Sequence, residues 1–134
     1  MDALPEWPAC TVAVLSTAGG EPHAIPVSTA VREGPRTVVL ALAFRRESLA
    51  RLRQDPRCAL TILAAGNVAV TAIGRGTVVD ELERVAVVRV DVERIQDHGH
   101  DTFVIDDGVQ WHWTDASAER ADAEVRAALD AAST

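Results

Sequence analysis

The sequence predicts a mainly β fold, a small barrel of six or seven antiparallel strands with two helices, in one domain over residues 1–134. Three observations support this prediction. Short runs rich in Val, Ile and Thr recur along the chain, separated by Gly-Gly, Gly-Pro and Gly-Asn turn signals. Two segments have apolar residues at helical spacing. A length of 134 residues with 48% hydrophobic and 25% charged residues suits one domain with a sizeable core.

The first part of the chain is predicted to form an antiparallel meander. A Gly-Gly pair and a Gly-Pro pair separate its three β-rich runs. Pro22 and Pro26 cannot donate a hydrogen bond to a neighbouring strand, so the second strand should start late or lie at a sheet edge. The three strands are expected at 9–18, 21–33 and 36–44.

A short helix is predicted over 47–54, because Leu49 and Leu52 share one face and Pro56 follows soon after. Three further strands follow it. Gly74 and Gly76 interrupt the second of them and indicate a bulge or bend. These strands are expected at 57–65, 67–80 and 84–97.

The C-terminal part is predicted to form a hairpin and then a helix. The hairpin covers 102–115 and turns at Asp107-Gly108. The helix covers 115–132, with an apolar stripe of Ala, Val and Leu, and Thr114 or Asp115 should cap it.

Charge and composition exclude several classes of function. The chain carries a formal net charge of −7 and has no Tyr, so we expect no nucleic-acid partner. All 13 basic side chains are Arg; without Lys the protein cannot form a Schiff base with pyridoxal phosphate. No apolar run reaches the ~20 residues of a membrane helix, so no membrane partner is expected. The acidic, proline-containing N-terminus is unlike a signal peptide, which predicts a cytoplasmic location.

The cysteines and histidines do not predict a metal site. Cys10 and Cys58 fall in apolar strand patterns and are expected to be reduced core thiols, and no Cys-x-x-Cys motif is present. His98 and His100 flank a glycine, which indicates a solvated turn, and a third ligand cannot be placed.

Five arginines occur within thirteen positions of this acidic chain: Arg45, Arg46, Arg51, Arg53 and Arg57. Arg45, Arg46 and Ser48 lie where a strand turns into the short helix, and Arg51 follows one helical turn later. Guanidinium groups beside free amides at a helix N-terminus are well suited to a phosphate group. The other interpretation of the cluster is a solvated helix face. Arg53 and Arg57 are expected to face solvent or to pair with Glu47 and Asp55.

Three stretches together resemble a known superfamily: AVLSTAGGEPHAIPV, TVVLALAFRRESLARLRQDPRCALTI and VAVTAIGRGTVV. Their order of strand, turn, proline-containing strand, strand, basic helix, Asp-Pro step and glycine-containing strand is similar to that of the flavin/deazaflavin-dependent split β-barrels. The pyridoxamine 5′-phosphate oxidases are the best-known members. The resemblance implies a homodimeric split barrel with the short helix after the third predicted strand.

The resemblance also implies a cofactor, FMN or the deazaflavin coenzyme F420, in a groove between two subunits, and hydride transfer to a small conjugated substrate. The phosphate is expected at the strand-to-helix junction and the ring along the second and third predicted strands, while no catalytic residue is assigned. Members often have Lys where this chain has Ser48, and Ser where it has Arg46. This departure leaves open a non-catalytic protein that binds a small anionic ligand or has no cofactor. The expected cofactor-binding residues are Arg45, Arg46, Ser48, Arg51, Pro26, Val27, Ser28, Thr29, Ala41 and Leu42.

Overall fold

Seven antiparallel strands form one sheet, accompanied by two helices, in the computed structural model, which describes residues 1–132. The predicted mainly β split barrel is therefore confirmed. The elements are β1 (Ala13–Thr17), β2 (His23–Val27), β3 (Val31–Gly34), β4 (Thr37–Ala43), α1 (Glu47–Gln54), β5 (Arg57–Ala64), β6 (Val68–Glu81), β7 (Val85–Asp97) and α2 (Ala116–Ala132).

The strand order β2-β1-β5-β6-β7-β4-β3 puts β2 and β3 at opposite edges of the sheet. These two edges are joined by only three residues, Ser28 to Ala30. Four Cα steps of 3.8 Å link Val27 to Val31, so the two edges lie within about 15 Å of each other. The sheet must therefore curl into a barrel whose open seam lies at this connection.

The predicted strand 21–33 is corrected by the structure, because it is two strands belonging to the two edges. β2 pairs with β1, whereas β3 pairs with β4. Between them the Thr29 hydroxyl donates to the Ala41 carbonyl at 3.2 Å and accepts from the Ala41 amide at 3.0 Å. A side chain thus replaces a strand partner at this position. Because the predicted second strand is divided in two, α1 follows the fourth strand rather than the third.

The interior of the barrel holds the main apolar core. Leu15, Leu40, Leu60 and Ile62 are fully buried there, and α1 adds Leu49. On the outer face of β4 and β7, a second cluster forms under α2 from Val39, Val87 and Leu129. Both faces of β4 are therefore covered, which explains its continuous run of apolar residues.

The predicted hairpin over 102–115 is wrong, since neither strand nor helix is assigned between β7 and α2. The segment is held in another way. The Asn67 side chain accepts from the Ile105 amide at 2.8 Å, and the Asn67 amide donates to the Ile105 carbonyl. Gly108 lies against the Leu63 carbonyl oxygen, where an added Cβ would come within 2.7 Å. Contacts with β5 and the β5–β6 turn replace the expected partner strand.

Other local predictions are confirmed. Gly66 and Asn67 form the β5–β6 turn with φ of 85° and 59°. The ladder between β6 and β7 is irregular between Ile73 and Gly74. Asp115 caps α2, since its carboxylate accepts from the amides of Ala118 and Ser117, and these hydrogen bonds lower its pKa.

Within residues 1–132, neither helix is long and apolar enough to cross a membrane.

The two cysteines differ in exposure, so the expectation of two core thiols is wrong for Cys10. Cys10 is exposed in the turn before β1, with φ of 66°. Cys58 is buried, and burial raises the pKa of its thiol to about 11. At pH 8, we expect a thiol-reactive disulfide reagent to modify one thiol per native chain quickly, because the thiolate is the reacting form. Cys10→Ser should remove the fast phase, and two equally fast thiols in the unmodified chain would contradict this burial.

Candidate functional site

A cavity of about 160 Å³ opens at the seam of the barrel; we call it the seam cavity. It lies between the β2–β3 connection, the end of β4 and the start of α1. Most residues predicted to hold a cofactor meet here, although β2 and β4 are not adjacent in the sheet. The lining residues are Pro26, Val27, Ser28, Thr29, Ala41, Leu42, Ala43 and Arg46.

The walls of the seam cavity are held by contacts that leave few polar groups free. Thr29 is bound to the backbone of Ala41, as described above. Arg126 of α2 donates to the Ser28 carbonyl at 2.9 Å and pairs with Asp122 at 2.6 Å. The Ser28 hydroxyl makes no hydrogen bond to any described residue and is available to a ligand.

Arg46 brings a positive charge to this cavity. Its guanidinium makes no hydrogen bond or ion pair within residues 1–132. Arg46 is also the N-cap of α1, and no side chain caps this helix. The first amides of a helix lack intrahelical acceptors and attract anions. The seam cavity is thus lined by an arginine whose guanidinium has no partner among the described residues, and this arginine directly precedes a helix without a side-chain cap.

Arg45 lies at the same junction but lines other cavities. One of about 480 Å³ is formed with Phe44 and the β6–β7 turn; we call it the turn cavity. The other, of about 870 Å³, lies between that turn and α2; we call it the α2 cavity. Arg45, like Arg46, has no hydrogen-bond or ion-pair partner for its guanidinium among the described residues.

Ser48 does not line any of these cavities and is fully buried. Its Oγ lies 3.1 Å from Nε2 of His23, whose Nδ1 lies 2.9 Å from a carboxylate oxygen of Glu47. Because a carboxylate accepts, Nδ1 donates to it, and the neutral ring accepts from the Ser48 hydroxyl. The order Ser-His-Glu resembles a hydrolytic relay, but a fully buried hydroxyl cannot attack a substrate. The three residues instead attach β2 to α1.

Arg51 is also engaged within the chain. Its Nη1 donates to the carbonyls of Gly19 at 2.7 Å and Glu21 at 2.9 Å, and its Nε donates to Glu47 at 3.2 Å. Its side chain is 14% exposed. In this arrangement Arg51 fastens the β1–β2 turn to α1.

The remaining arginines of the cluster form ion pairs at the surface. Arg57 pairs with Asp55 at 2.7 Å, as predicted, and its hydrogen bonds lower the pKa of Asp55 to about 2. Arg53 pairs with Glu81 rather than with Glu47. The cluster therefore divides into ion-paired, turn-binding and free arginines.

Sequence reasoning missed the role of His23. It lies 25 residues before Ser48, and no motif links the two positions. Only the folding of β2 against α1 brings them together.

Comparison with known proteins gives a family and a fold. A sequence profile of the pyridoxamine 5′-phosphate oxidase family matches residues 2–126. No curated protein sequence matches the chain. A candidate pyridoxamine 5′-phosphate oxidase from Listeria innocua has a similar structure, with a TM-score of 0.56 at 14% identity over 66% of this chain and 88% of its own.

Two other similar structures differ in the ligands that their names give. One is called an FAD-binding protein, from Mesorhizobium loti, with a TM-score of 0.54 at 14% identity over 63% of this chain and 83% of its own. The other is called a heme binding protein, from Mycobacterium smegmatis, with a TM-score of 0.54 at 19% identity over 65% of this chain and 48% of its own. At such identities the likeness shows the fold alone.

Proposed function

Because this chain belongs to the pyridoxamine 5′-phosphate oxidase family, we propose that it is an oxidoreductase that binds FMN by its phosphate and transfers hydride to a small conjugated substrate. The observation that carries the proposal is the seam cavity, lined by Arg46, whose guanidinium has no partner among the described residues and which directly precedes the uncapped start of α1. A phosphate monoester carries about −1.5 to −2 charges at pH 7 and suits this combination. The deazaflavin coenzyme F420 also carries a phosphate and is the alternative cofactor.

The dimensions of the cavity indicate which part of the cofactor it would hold. At about 160 Å³, it is smaller than the ~300–1,000 Å³ of typical ligand sites. It has room for the phosphate end, and the ring would extend past Ser28 to the rim of the seam. The residues present therefore fit the phosphate, whereas the ring needs additional walls.

The proposed roles of this chain's residues are few. Arg46 and the first amides of α1 bind the phosphate, and the Ser28 hydroxyl donates to or accepts from the ring edge. A bound flavin supplies the hydride chemistry. The chain has neither Lys nor Tyr, and His23 is occupied by Ser48 and Glu47, so the proton that completes the product comes from water or from one of the other three histidines.

We propose that a second copy of the chain supplies the additional walls around the flavin ring. Val14 and Leu63 are 39% and 49% exposed on the outer face of the adjacent strands β1 and β5. Val104 and Val109, in the segment crossing β5, are 67% and 64% exposed. Such an apolar surface is typical of an interface between subunits. A monomer in sedimentation equilibrium at micromolar concentration would contradict this part of the proposal.

Titration of the purified protein with each cofactor tests the function. We expect FMN to bind with a Kd of about 10 µM or lower, equivalent to about −7 kcal/mol, with a change in flavin absorbance and fluorescence. Riboflavin, which lacks the phosphate, is the control and should bind much more weakly. If neither FMN nor F420 binds, the proposal is wrong.

The engagement of Ser48 and Arg51 favours a second candidate function. Two polar groups expected at a phosphate site are already satisfied within the chain, which suits a non-catalytic protein that binds a small anion. This candidate predicts thermal stabilisation by inorganic phosphate together with the absence of flavin binding. The titration above separates it from the oxidoreductase.

A further inference from the structure

The α2 cavity is larger than the seam cavity and the turn cavity, and it lies outside the predicted cofactor residues, except for Arg45. Its volume of about 870 Å³ is within the range of small-molecule sites. One wall is α2, and the opposite wall is the turn between β6 and β7. Apolar surface comes from Leu82, Val85 and Val125.

Cationic groups without partners converge on this cavity. Arg45, Arg84 and Arg120 line it, and none of their guanidiniums has a hydrogen-bond or ion-pair partner among residues 1–132. Two carboxylates that have no ion pair in the described part of the chain, Glu83 and Glu124, line it as well. The third carboxylate, Asp122, is already paired with Arg126 at 2.6 Å.

Because Arg126 neutralises Asp122, three arginines and two carboxylates without partners among residues 1–132 remain, which is an excess of one positive charge in this cavity. The chain as a whole carries a formal net charge of −7. A local positive excess in an acidic protein favours an anionic ligand at this position.

Trp113 adds an aromatic surface to the same cavity. Its side chain is 38% exposed, although large aromatic side chains are usually well buried. Trp111 packs edge-to-face against it with ring centroids 5.2 Å apart, which holds the indole in place. An exposed indole beside arginines is a suitable surface for stacking a nucleobase.

The turn cavity lies next to both of the other cavities and shares lining residues with each. The turn cavity shares Arg45, Glu83, Arg84 and Val85 with the α2 cavity. It shares Ala43 with the seam cavity. The arginines without partners among the described residues thus line neighbouring cavities: Arg46 lines the seam cavity, and Arg45 and Arg84 line the turn and α2 cavities.

We propose that the α2 cavity binds the nucleotide half of a flavin dinucleotide, with the phosphate of that half on Arg45, Arg84 and Arg120 and its base on Trp113. The ligand class is a flavin extended by a nucleoside phosphate, as in FAD. The position of the flavin half rests on the function proposed above, whereas the nucleotide site depends only on the α2 cavity.

The test compares FAD, FMN and ADP as ligands of the full chain by calorimetry. We expect FAD to bind at least tenfold more tightly than FMN, and ADP alone to bind measurably and quench indole fluorescence. The double variant R84A/R120A should abolish ADP binding and should remove the FAD advantage, the tighter binding of FAD than of FMN. Its affinity for FMN should stay within twofold of that of the unmodified chain. Arg94→Ala, which removes another arginine without a partner among the described residues, on β7 outside all these cavities, is the matched control.

The outcomes separate the two proposals. Equal FAD and FMN affinities, or an FAD advantage that survives in R84A/R120A, would overturn the nucleotide site and leave the proposed function standing. If neither flavin binds but ADP does, in a manner that needs Arg84 and Arg120, the nucleotide site stands and the flavin function is wrong. If none of the three ligands binds, the nucleotide site is wrong, and the proposed function then depends on F420 binding alone.

Discussion

Replacing Arg46 with alanine is expected to weaken FMN binding about a hundredfold. The Arg46 guanidinium lines the seam cavity and has no partner within the described residues, so its hydrogen-bonding capacity is available to a ligand. Charge-assisted hydrogen bonds contribute about 1.5–3 kcal/mol, and a loss of about 2.7 kcal/mol corresponds to a hundredfold change in Kd. The measurement is an FMN titration followed by flavin fluorescence, with thermal unfolding recorded for the same samples.

Two neighbouring arginines provide controls for this prediction. Arg53→Ala removes a charge of the same helix that is paired with Glu81, so FMN affinity should change less than threefold. Arg51→Ala should lower the unfolding temperature, because Arg51 binds the carbonyls of Gly19 and Glu21, and it should change FMN affinity less than Arg46→Ala does. Unchanged FMN binding in Arg46→Ala would remove the phosphate site from this junction.

Replacing Gly74 with alanine is expected to destabilise the fold by about 3–5 kcal/mol, a large part of the ~5–15 kcal/mol of a typical domain. Gly74 lies in β6 at the irregularity of its ladder with β7, opposite Val92. A Cβ there would overlap the backbone carbonyl oxygen of Asp91 and approach Val92 Cα to 2.9 Å. Backbone atoms of a central strand cannot move aside as a flexible side chain can, so the ladder would have to open. Urea denaturation followed by circular dichroism measures the loss.

Gly34→Ala is the matched control for this substitution. Gly34 ends β3 at a sheet edge, and an added Cβ would meet nothing within 4 Å. Alanine there should be neutral or stabilise by up to about 1 kcal/mol, because it reduces the freedom of the unfolded chain. Equal unfolding midpoints for the two variants would mean that β6 and β7 do not approach closely at Gly74.

The position of the candidate site could be predicted to a considerable extent from the sequence. The resemblance placed a cofactor along 26–29 and 41–42, and these residues line one cavity in the structure. These residues come together because the two edges of the curled sheet meet at one seam, where the β2–β3 connection, the end of β4 and the start of α1 are neighbours. That they bind a cofactor stays a prediction. The hairpin at 102–115 could not be predicted correctly, because Asn67, a distant residue, binds the backbone that a partner strand would have bound.

The roles of individual arginines, in contrast, could not be predicted from the sequence. Arg45, Arg46 and Arg51 look equivalent in the chain, yet they line different cavities or bind a turn. The direction of each side chain depends on how α1 packs against β1 and β2. Ser48 and His23 show the same effect, since the burial of one and its contact with the other follow from that packing.

By itself, the sequence determined the mainly β class, the bounds of most strands and the concentration of Arg at one strand-to-helix junction, because turn residues and apolar periodicity act locally. The tertiary structure alone decided that the run 21–33 joins the two edges of the sheet, which arginines remain without partners, and that α2 forms a cavity with the β6–β7 turn. These features depend on contacts between residues far apart in the chain, and no local pattern encodes which of several similar side chains will find a partner when the barrel closes.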